Sequence, residues 1–335
     1  MAPPSPYLAG APIQLQPLSF TWLDGHAIEL AALRLDQVDP ELSGNKWFKL
    51  LHHLEAAAAA GAEGLISLGG PHSNHLHALA AAGRRFGLHT VGLLRGHPQD
   101  TPTVQDLLDC GMALHWLGYG GYRERYQPEF WAPWQARYPG FHCVPEGGGG
   151  LLGALGCAEL VAELRQPLEA FGWGDYHGCW LAAGTGTTLA GLVLGEAGRH
   201  PVYGALAGPG EHAVAATVAT LLQQAGRDDT GYRLFDASRR GFGRFDPELV
   251  RFMRDAEREG GMPLEPVYTA KALMALREQV RAGFFAPGSR LVFVHTGGLQ
   301  GLRGANLDAV LQAEPGPGAA ETGREKRPAA SRRQG

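Results

Sequence analysis

The chain has 335 residues, which is too long for one ordinary hydrophobic core and fits two domains. Apolar residues make up 44% of the chain and charged residues 19%, a globular composition that argues against a disordered protein. The net charge is −4 and the first 310 residues carry no basic stripe, so nucleic acid is not an expected partner.

The first part of the chain alternates short apolar runs with helix-forming segments. Residues 1–27 form an irregular lead, and Ser43 stands where it can cap the helix that follows it. In chain order the sequence predicts a strand at 28–35, a helix from about Lys46 to Gly61, a strand at 64–68, a helix at about 74–86, a strand at 90–94, a helix at about 103–110 and a strand at 113–117. A strand, a turn, a helix and a strand at this spacing indicate a βαβ unit.

The second part of the chain continues the same alternation. Residues 118–140 are rich in Gly, Tyr and Trp and give no clear element, and a Gly-rich stretch at 145–150 follows. Beyond it the sequence predicts helices at about 152–165, 188–198, 210–225, 247–259 and 269–282, with strands at 178–183, 201–206 and 290–295. The repeated strand–helix order predicts an α/β fold with mostly parallel sheets.

A glycine-rich turn, Gly184-Thr185-Gly186-Thr187-Thr188, links a predicted strand to a predicted helix. Such a turn points main-chain N–H groups and the positive end of the helix at one spot that suits a phosphate, and the Thr hydroxyls add donors. It is not a Walker A loop, because no Lys follows the last Gly. It also lacks the third Gly of a dinucleotide fingerprint, since residue 189 is Leu. The alternative is a tight turn that binds nothing.

Lys46 follows Ser-Gly-Asn in the first turn of a predicted helix. The helix dipole disfavours a cation at this end, so the field lowers the pKa of the ammonium and favours the free amine. A free amine is the form that makes a Schiff base. Lys49, one turn further on, is a competing candidate, and a solvent-exposed Lys46 with no role is the alternative.

Another glycine-containing turn, Gly69 to His75, also links a strand to a helix. Its amides, the Ser73 hydroxyl and the Asn74 side chain can bind a carboxylate. The histidines His72, His75 and His77 invite a zinc hypothesis. We do not expect a metal, because His75 and His77 face different sides of the helix and no His-Glu-x-x-His occurs.

Two later segments also place polar groups beside the ends of predicted elements. His295-Thr296-Gly297-Gly298 closes an apolar strand, and ligands of open α/β sheets lie at the carboxyl ends of strands. Tyr268-Thr269 precedes a helix and can place a phenol and a hydroxyl in the same cleft, although a core aromatic is the plainer interpretation of Tyr268.

Localisation is expected to be cytoplasmic. The four cysteines are isolated and form no Cys-x-x-Cys pair, which is typical of reduced thiols. The N-terminus lacks the basic start and apolar run of a signal peptide, and no stretch approaches the roughly 18 apolar residues of a membrane helix. We therefore expect no contact with a membrane.

The motifs, taken in order, resemble the 1-aminocyclopropane-1-carboxylate deaminase and D-cysteine desulfhydrase family. The set comprises Ser-Gly-Asn-Lys46, Gly-Gly-Pro-His-Ser73-Asn74, Gly-Ala-Leu-Gly at 153–156, Gly-Thr-Gly-Thr-Thr188, Pro-Val-Tyr268-Thr269 and His-Thr296-Gly-Gly. The resemblance runs from about Pro12 to Leu302. It implies pyridoxal 5′-phosphate as cofactor and the fold of the tryptophan synthase β-subunit, which is fold type II of pyridoxal-phosphate enzymes.

The resemblance also implies roles around the cofactor. Lys46 forms the Schiff base and later moves the α-proton of the substrate. Asn74 bonds the phenolic oxygen of the cofactor, and residues 184–188 hold its phosphate. Thr296 or Thr269 faces the pyridine nitrogen.

A second set of implied roles concerns a small amino-acid substrate. Ser73, with Asn74 and His75, holds the substrate carboxylate, and Tyr268 lies over the substrate as acid, base or nucleophile. Lys46, Tyr268 and Ser73 are therefore the expected catalytic residues. No metal is implied.

Thr269 and Thr296 bear on which reaction to expect. The deaminase has Glu and Leu at these positions, whereas the desulfhydrases have Thr. A carboxylate keeps the pyridine protonated and a hydroxyl does not, so we expect loss of a good β-leaving group, as in D-cysteine going to pyruvate, ammonia and sulfide. The alternatives are cyclopropane ring opening and a non-catalytic pyridoxal-phosphate binder. Phe242, at a position where the family has an active-site Tyr, keeps the latter open.

The expected organisation has two domains and a tail. Residues 1–48 and 146–312 form the larger, pyridoxal-phosphate-binding domain, and residues 49–145 form a smaller inserted domain that contributes Ser73 and Asn74. Residues 313–335 lack apolar anchors and are expected to be disordered. The cofactor is expected in the cleft between the domains. A homodimer is usual for the family, but the sequence shows no interface.

Overall fold

The computed structural model describes residues 12–312, so the expected disordered tail at 313–335 lies outside the described residues. Its strands are β1 (Leu15–Leu18), β2 (Glu29–Arg34), β3 (Gly64–Gly69), β4 (His89–Leu94), β5 (Ala113–Trp116), β6 (Phe141–Cys143), β7 (Gly178–Ala183), β8 (Val202–Leu206), β9 (Tyr232–Asp236) and β10 (Arg290–His295). Its α-helices are α1 (Asn45–Ala59), α2 (Asn74–Phe86), α3 (Pro102–Asp109), α4 (Gly118–Arg123), α5 (Ala132–Arg137), α6 (Gly150–Phe171), α7 (Thr187–Glu196), α8 (Glu211–Gln224), α9 (Pro247–Gly260), α10 (Thr269–Arg281) and α11 (Leu307–Gln312).

The strands form two sheets. The larger sheet has the order β1-β2-β10-β7-β8-β9 and the smaller one β5-β4-β3-β6. Every pairing is parallel except that of β1 with β2. The predicted α/β fold with mostly parallel sheets is therefore confirmed. Because the smaller sheet uses only residues 64–143, we propose the division into an inserted domain at 49–145 and a larger domain at 1–48 and 146–312.

Local sequence explains how the elements begin and end. All six residues of β3 are buried, as expected for a central parallel strand covered by helices on both faces. Ser73 caps the start of helix α2, where its hydroxyl accepts a hydrogen bond from the N–H of Leu76, and Gly87 caps the end in the left-handed conformation. The polar residue that opens α2 is thereby held at the carboxyl end of β3.

Helices α1 and α6 pack closely because α6 begins with glycines. A Cβ on Gly156 would overlap the carbonyl oxygen of Phe48 in α1, and one on Gly153 would overlap the carbonyl oxygen of Gly148. One hydrophobic cluster joins residues of both sheets, among them Leu33, Leu65 and Leu181. The two sheets therefore share one hydrophobic core.

Some sequence expectations need correction. The lead at 1–27 contains β1, a four-residue edge strand. It was not predicted because it contains Pro17, and proline is rare in strands other than edge strands. Ser43 does not cap α1: Gly44 holds the N-cap position at φ +71°, and the Ser43 hydroxyl donates to the carbonyl oxygen of Asp36. Two further strands were not predicted: β6, which has only three residues, and the half-buried edge strand β9.

Within residues 12–312, no helix combines the length and the apolar character that crossing a membrane requires.

Candidate active site

The amine of Lys46 lies at the start of α1, where Asn45 links it to a second element. Lys46 Nζ donates to Asn45 Oδ1 at 2.9 Å, and Asn45 Nδ2 donates to Thr188 Oγ1 at 2.9 Å. Burial lowers the pKa of Lys46 to about 7, and the nearby charge of Lys49 contributes. Near neutral pH a large share of this lysine is therefore the nucleophilic free amine.

Residues 184–188, called the phosphate loop below, connect β7 to α7. Gly186 holds the N-cap position in the left-handed conformation at φ +86°, and the hydroxyl oxygens of Thr185 and Thr187 lie 3.1 Å apart. Main-chain N–H groups of the first turn of α7 have no partner within the helix, so this turn attracts an anion. The predicted strand–turn–helix is confirmed here.

Lys49 contributes a cation to the phosphate loop, a role that the sequence did not assign to it. Its Nζ lies 3.4 Å from Thr185 Oγ1 and donates to the carbonyl oxygen of Gly147 at 2.8 Å. Burial lowers its pKa to about 8, which leaves most of it protonated at neutral pH. The spacing of three residues from Lys46 was the available signal, because it places both amines on one face of α1.

The glycines at 147–149 let the main chain pass between the phosphate loop and α1. A Cβ on Gly147 would lie 3.3 Å from Thr185 Cγ2, and one on Gly148 would lie 3.1 Å from Lys49 Cβ and 3.4 Å from His75 Nδ1. Both glycines have positive φ values, +71° and +70°. Side chains at these positions would crowd Thr185, Lys49 and His75, and the positive φ values also favour glycine.

The N-terminus of α2 brings Ser73 and Asn74 to the opposite side. Asn74 Oδ1 accepts a hydrogen bond from Gln300 Nε2 at 2.9 Å, and a Cβ on Gly298 would lie 2.7 Å from Asn74 Nδ2. The first main-chain N–H groups of α2, those of Asn74 and His75, have no partner within the helix. This turn is suited to a carboxylate.

The imidazole of His75 points away from that turn. It is buried, and its Nε2 lies 2.7 Å from the hydroxyl oxygen of Ser67 in β3. Its Nδ1 has no hydrogen-bond partner and faces Gly148. Burial, together with the charges of Lys46 and Lys49, lowers the pKa of His75 well below its ordinary value. The part of His75 that faces a carboxylate is thus its main-chain N–H.

Glu265, which sequence reasoning missed, fixes Tyr268 and Thr269. Its buried carboxylate accepts main-chain hydrogen bonds from Val267 at 2.8 Å, Tyr268 at 2.8 Å and Thr269 at 2.6 Å. The Thr269 hydroxyl also contacts Glu265, accepting from its main-chain N–H at 2.9 Å. An acidic residue just before a predicted helix was the available signal, since carboxylates cap free N–H groups.

Tyr268 covers the phosphate loop. A Cβ on Gly184 would lie 3.0 Å from Tyr268 Cε1, so a side chain at this position would crowd the ring. Burial and the negative charge of Glu265 raise the pKa of the phenol well above its ordinary value. Tyr268 is therefore a protonated phenol at neutral pH, able to donate a hydrogen bond or a proton.

Thr296 closes the site through its main chain. Its carbonyl oxygen accepts a hydrogen bond from the N–H of Asn45 at 3.1 Å, and Gly297 lies so close to Gly44 that a Cβ on it would be 2.7 Å from Gly44 Cα. Contacts link the elements that carry the residues expected from the sequence: Asn45 bonds Thr188 and the Thr296 carbonyl, Gly298 lies beside Asn74, and Tyr268 lies against Gly184. We propose that one site is formed by Lys46, Ser73, Asn74, His75, Gly184, Thr185, Gly186, Thr187, Thr188, Tyr268, Thr269 and Thr296. Within the described part of the chain, no cluster of His, Cys, Asp or Glu side chains is arranged to hold a metal ion.

These features fit pyridoxal phosphate. A free amine stands ready for an aldehyde, and a helix N-terminus with two hydroxyls and the Lys49 ammonium stands ready for a phosphate. The glycines at 147 and 148 let the main chain lie against Thr185 and Lys49, and the buried Nδ1 of His75 beside them has no hydrogen-bond partner. Lys46, Lys49 and the phosphate loop are the groups placed to hold this cofactor.

Comparison with known proteins agrees with pyridoxal phosphate as the cofactor. A family profile described as "Pyridoxal-phosphate dependent enzyme" matches residues 15–297. A "Putative 1-aminocyclopropane-1-carboxylate deaminase" of Pyrococcus horikoshii is 30% identical over 277 residues, which is 78% of this chain and 81% of that protein. The protein of that name from Pyrococcus abyssi is 27% identical over 82% of this chain and 86% of its own length.

Solved structures show the same fold. The crystal structure of an ACC deaminase homologue has a TM-score of 0.74 and 26% identity, covering 86% of this chain and 90% of that chain. A hydrogen sulfide-producing enzyme from Fusobacterium nucleatum, at 12% identity and a TM-score of 0.65 over 88% and 97% of the two chains, shares the fold. The chain belongs to the family of pyridoxal-phosphate-dependent enzymes, as a lyase or deaminase with pyridoxal phosphate as its cofactor.

Proposed function

We propose that this enzyme eliminates a β-leaving group from a small amino acid, and that D-cysteine, which gives pyruvate, ammonia and sulfide, is the first substrate to test. The observation that carries the proposal is the environment of Glu265. Three main-chain N–H groups and the Thr269 hydroxyl all bond Glu265, so the start of α10 offers no free carboxylate to a cofactor ring. The absence of a free carboxylate here suits a reaction whose leaving group is good, because less charge is delocalised into the cofactor ring.

Tyr268 supports elimination independently. The raised pKa keeps its phenol protonated at neutral pH, which makes it a proton donor and a poor nucleophile. A proton donor assists a thiolate that leaves from Cβ. Nucleophilic opening of a cyclopropane would instead need the phenolate, which burial beside Glu265 disfavours.

The other residues position the reactants. Pyridoxal phosphate, when bound, supplies the electron-withdrawing ring that acidifies the α-hydrogen of an amino acid. Lys46, with its pKa of about 7, accepts and returns a proton at Nζ. The phosphate loop and Lys49 hold the phosphate, while Ser73 and the main-chain N–H groups at the start of α2 hold the substrate carboxylate. In this proposal Asn74 bonds the phenolic oxygen of the cofactor.

Ring opening of 1-aminocyclopropane-1-carboxylate is the second candidate. The names of the Pyrococcus relatives and of the structure with the TM-score of 0.74 favour it over D-cysteine. Its products are 2-oxobutanoate and ammonia. They differ from the pyruvate and sulfide of D-cysteine, so one set of assays separates the two reactions.

The test incubates the holoenzyme with D-cysteine, L-cysteine and 1-aminocyclopropane-1-carboxylate, and measures pyruvate, 2-oxobutanoate and sulfide by chromatography. We expect pyruvate and sulfide in equal amounts from D-cysteine, and loss of both in Lys46→Ala. Arg258→Ala is the control, because it removes an exposed cation of α9 that pairs with Asp255 and should leave activity unchanged. Formation of 2-oxobutanoate alone would establish the second candidate, and no product from any of the three would reject both.

A further inference from the structure

Phe242 is an exposed aromatic side chain that packs against Tyr268. Its ring centroid lies 5.6 Å from that of Tyr268 in an edge-on arrangement with an interplanar angle of 69°. Even so, 54% of its surface remains accessible to solvent. Tyr268 in turn lies against Gly184 of the phosphate loop. Phe242, Tyr268 and Gly184 therefore lie one against the next between solvent and the phosphate loop, with Phe242 outermost.

A buried lysine fixes the loop that carries Phe242. Lys271 Nζ donates to the carbonyl oxygens of Ala207 at 3.1 Å, Ser238 at 3.1 Å and Gly241 at 2.7 Å. Gly241 precedes Phe242 and has φ +112°, a conformation that L side chains rarely adopt. The main chain just before Phe242 is thus held by specific bonds, and the exposure of the ring is a property of the folded loop.

The loop is also seated directly on the larger sheet. A Cβ on Gly208, which follows β8, would lie 2.8 Å from Phe242 Cβ. The carboxyl ends of β7 and β8 therefore lie beneath Phe242, and this is the edge of a parallel sheet where ligands bind. A substrate substituent that extends past Tyr268 towards solvent would meet the Phe242 ring.

We infer that Phe242 is a specificity-determining residue that selects amino acids whose β-sulfur carries an aryl or alkyl group. The inference rests on the proposed elimination and names its substrate class. A phenyl ring offers apolar area and an edge or face for an aromatic pair, and it has no group that bonds a bare thiol. In the reaction the α C–H and Cβ–S bonds break, the sulfur leaves with the bonding pair and takes a proton, and water releases pyruvate and ammonium from the remainder.

Binding is measured first, because it does not depend on turnover. The probes are alanine and 2-amino-4-phenylbutanoate, each as both enantiomers; the latter has the shape of S-phenylcysteine but no leaving group. Dissociation constants come from the change in visible absorbance of the holoenzyme. We expect the preference for the phenyl probe over alanine to fall about fivefold to tenfold in Phe242→Ala, the value of one aromatic pair, with alanine binding unchanged. Phe242→Tyr keeps the ring and should keep the preference.

Leu108→Ala is the matched control, because Leu108 is a comparably exposed apolar residue, at 49%, on α3. Turnover then compares kcat/KM for S-phenylcysteine and cysteine, and the ratio should fall by the same factor in Phe242→Ala, through KM. An unchanged preference in both assays, with elimination intact, would overturn the inference and leave the proposed function standing. Binding that depends on Phe242 without elimination of any substrate would reject the proposed function and retain Phe242 as a ring-binding residue.

Discussion

The Nε2 atom of His75 lies 2.7 Å from the Ser67 hydroxyl oxygen, and Ser67 lies at the same distance from the carbonyl oxygen of Val144. A carbonyl only accepts, so the single hydroxyl hydrogen goes to Val144. The proton in the contact with His75 therefore belongs to Nε2, and Nδ1 carries a lone pair. The Nδ1 atom of His75, which faces Gly148, is therefore a hydrogen-bond acceptor without a donor.

The tautomer and the lowered pKa of His75 together predict its protonation state across the neutral pH range. Burial lowers its pKa well below the ordinary 6.5, so the ring should stay neutral, with the proton on Nε2, as the pH falls through that ordinary value. Two-bond ¹⁵N–¹H NMR spectra of labelled protein should show an unprotonated Nδ1 throughout. Uptake of a second proton near pH 6.5 would contradict the assignment. Ser67→Ala should cost about 1–3 kcal/mol of unfolding free energy in urea, because it strands a buried N–H, whereas the exposed Ser19→Ala should be nearly neutral.

The pH dependence of cofactor binding should follow Lys46. Its pKa of about 7 means that the reactive free amine is lost as the pH falls below that value. The rate at which apoprotein acquires visible absorbance from added pyridoxal phosphate should rise about tenfold per pH unit below pH 7 and level off above about pH 8. A rate that climbs steadily towards pH 10 would show an unperturbed lysine.

Lys49→Met should move that profile to higher pH. Removing the neighbouring positive charge raises the pKa of Lys46, so more alkaline conditions are needed to free the amine. Pyridoxal without its phosphate separates this effect from the loss of a phosphate contact. The alkaline shift should persist with pyridoxal, while the loss of affinity should appear only with the phosphate ester.

Removing the phenol of Tyr268 should matter most when the leaving group needs a proton. In Tyr268→Phe we expect kcat for D-cysteine to fall about 10²- to 10⁴-fold, the range for loss of a general acid. The fall should be much smaller for β-chloro-D-alanine, because chloride leaves without protonation. The visible spectrum of the bound cofactor serves as the control for an intact site. Equal losses with both substrates would show that Tyr268 positions the substrate and does not donate the proton.

Gly156 should tolerate no side chain. A Cβ there would overlap the carbonyl oxygen of Phe48, so Gly156→Ala must push α1 away from α6. We expect a loss of about 1–3 kcal/mol in unfolding free energy and a weaker affinity for pyridoxal phosphate, since α1 carries Lys46. Gly174→Ala is the matched control, because Gly174 has open space around it and no positive φ. It should be neutral or slightly stabilising.

The parts of the site that are local in sequence were predictable. Gly186 with Thr185 and Thr187 forms one turn whose shape depends on adjacent residues, and Lys46 lies in the first turn of its helix. The central strands were predictable for a similar reason. A buried parallel strand such as β3 is a continuous apolar run, whereas the edge strands β1 and β9 are short and half polar.

The remaining features depend on distant partners. Lys49 gains its position from Thr185, 136 residues later, and neither local segment carries a signal for that contact. The imidazole of His75 turns towards Ser67 because β3 passes beneath α2, which only the packed structure shows. The role of Glu265 depends on the burial of its carboxylate. An exposed acidic residue before a helix has the same sequence pattern, so the sequence alone does not distinguish the two cases.

The strand order has a consequence for synthesis. The last strand, β10, lies between β2 and β7, and the Thr296-Gly297 segment that follows it supports the start of α1 at Gly44. A nascent chain therefore cannot join its first strands to the rest of the larger sheet until nearly 300 residues have been made. Contacts of such sequence separation form slowly. Ribosomes that stop before β10 release a polypeptide with an unfilled gap at the centre of its sheet, and such a product is a substrate for proteases and never acquires its cofactor.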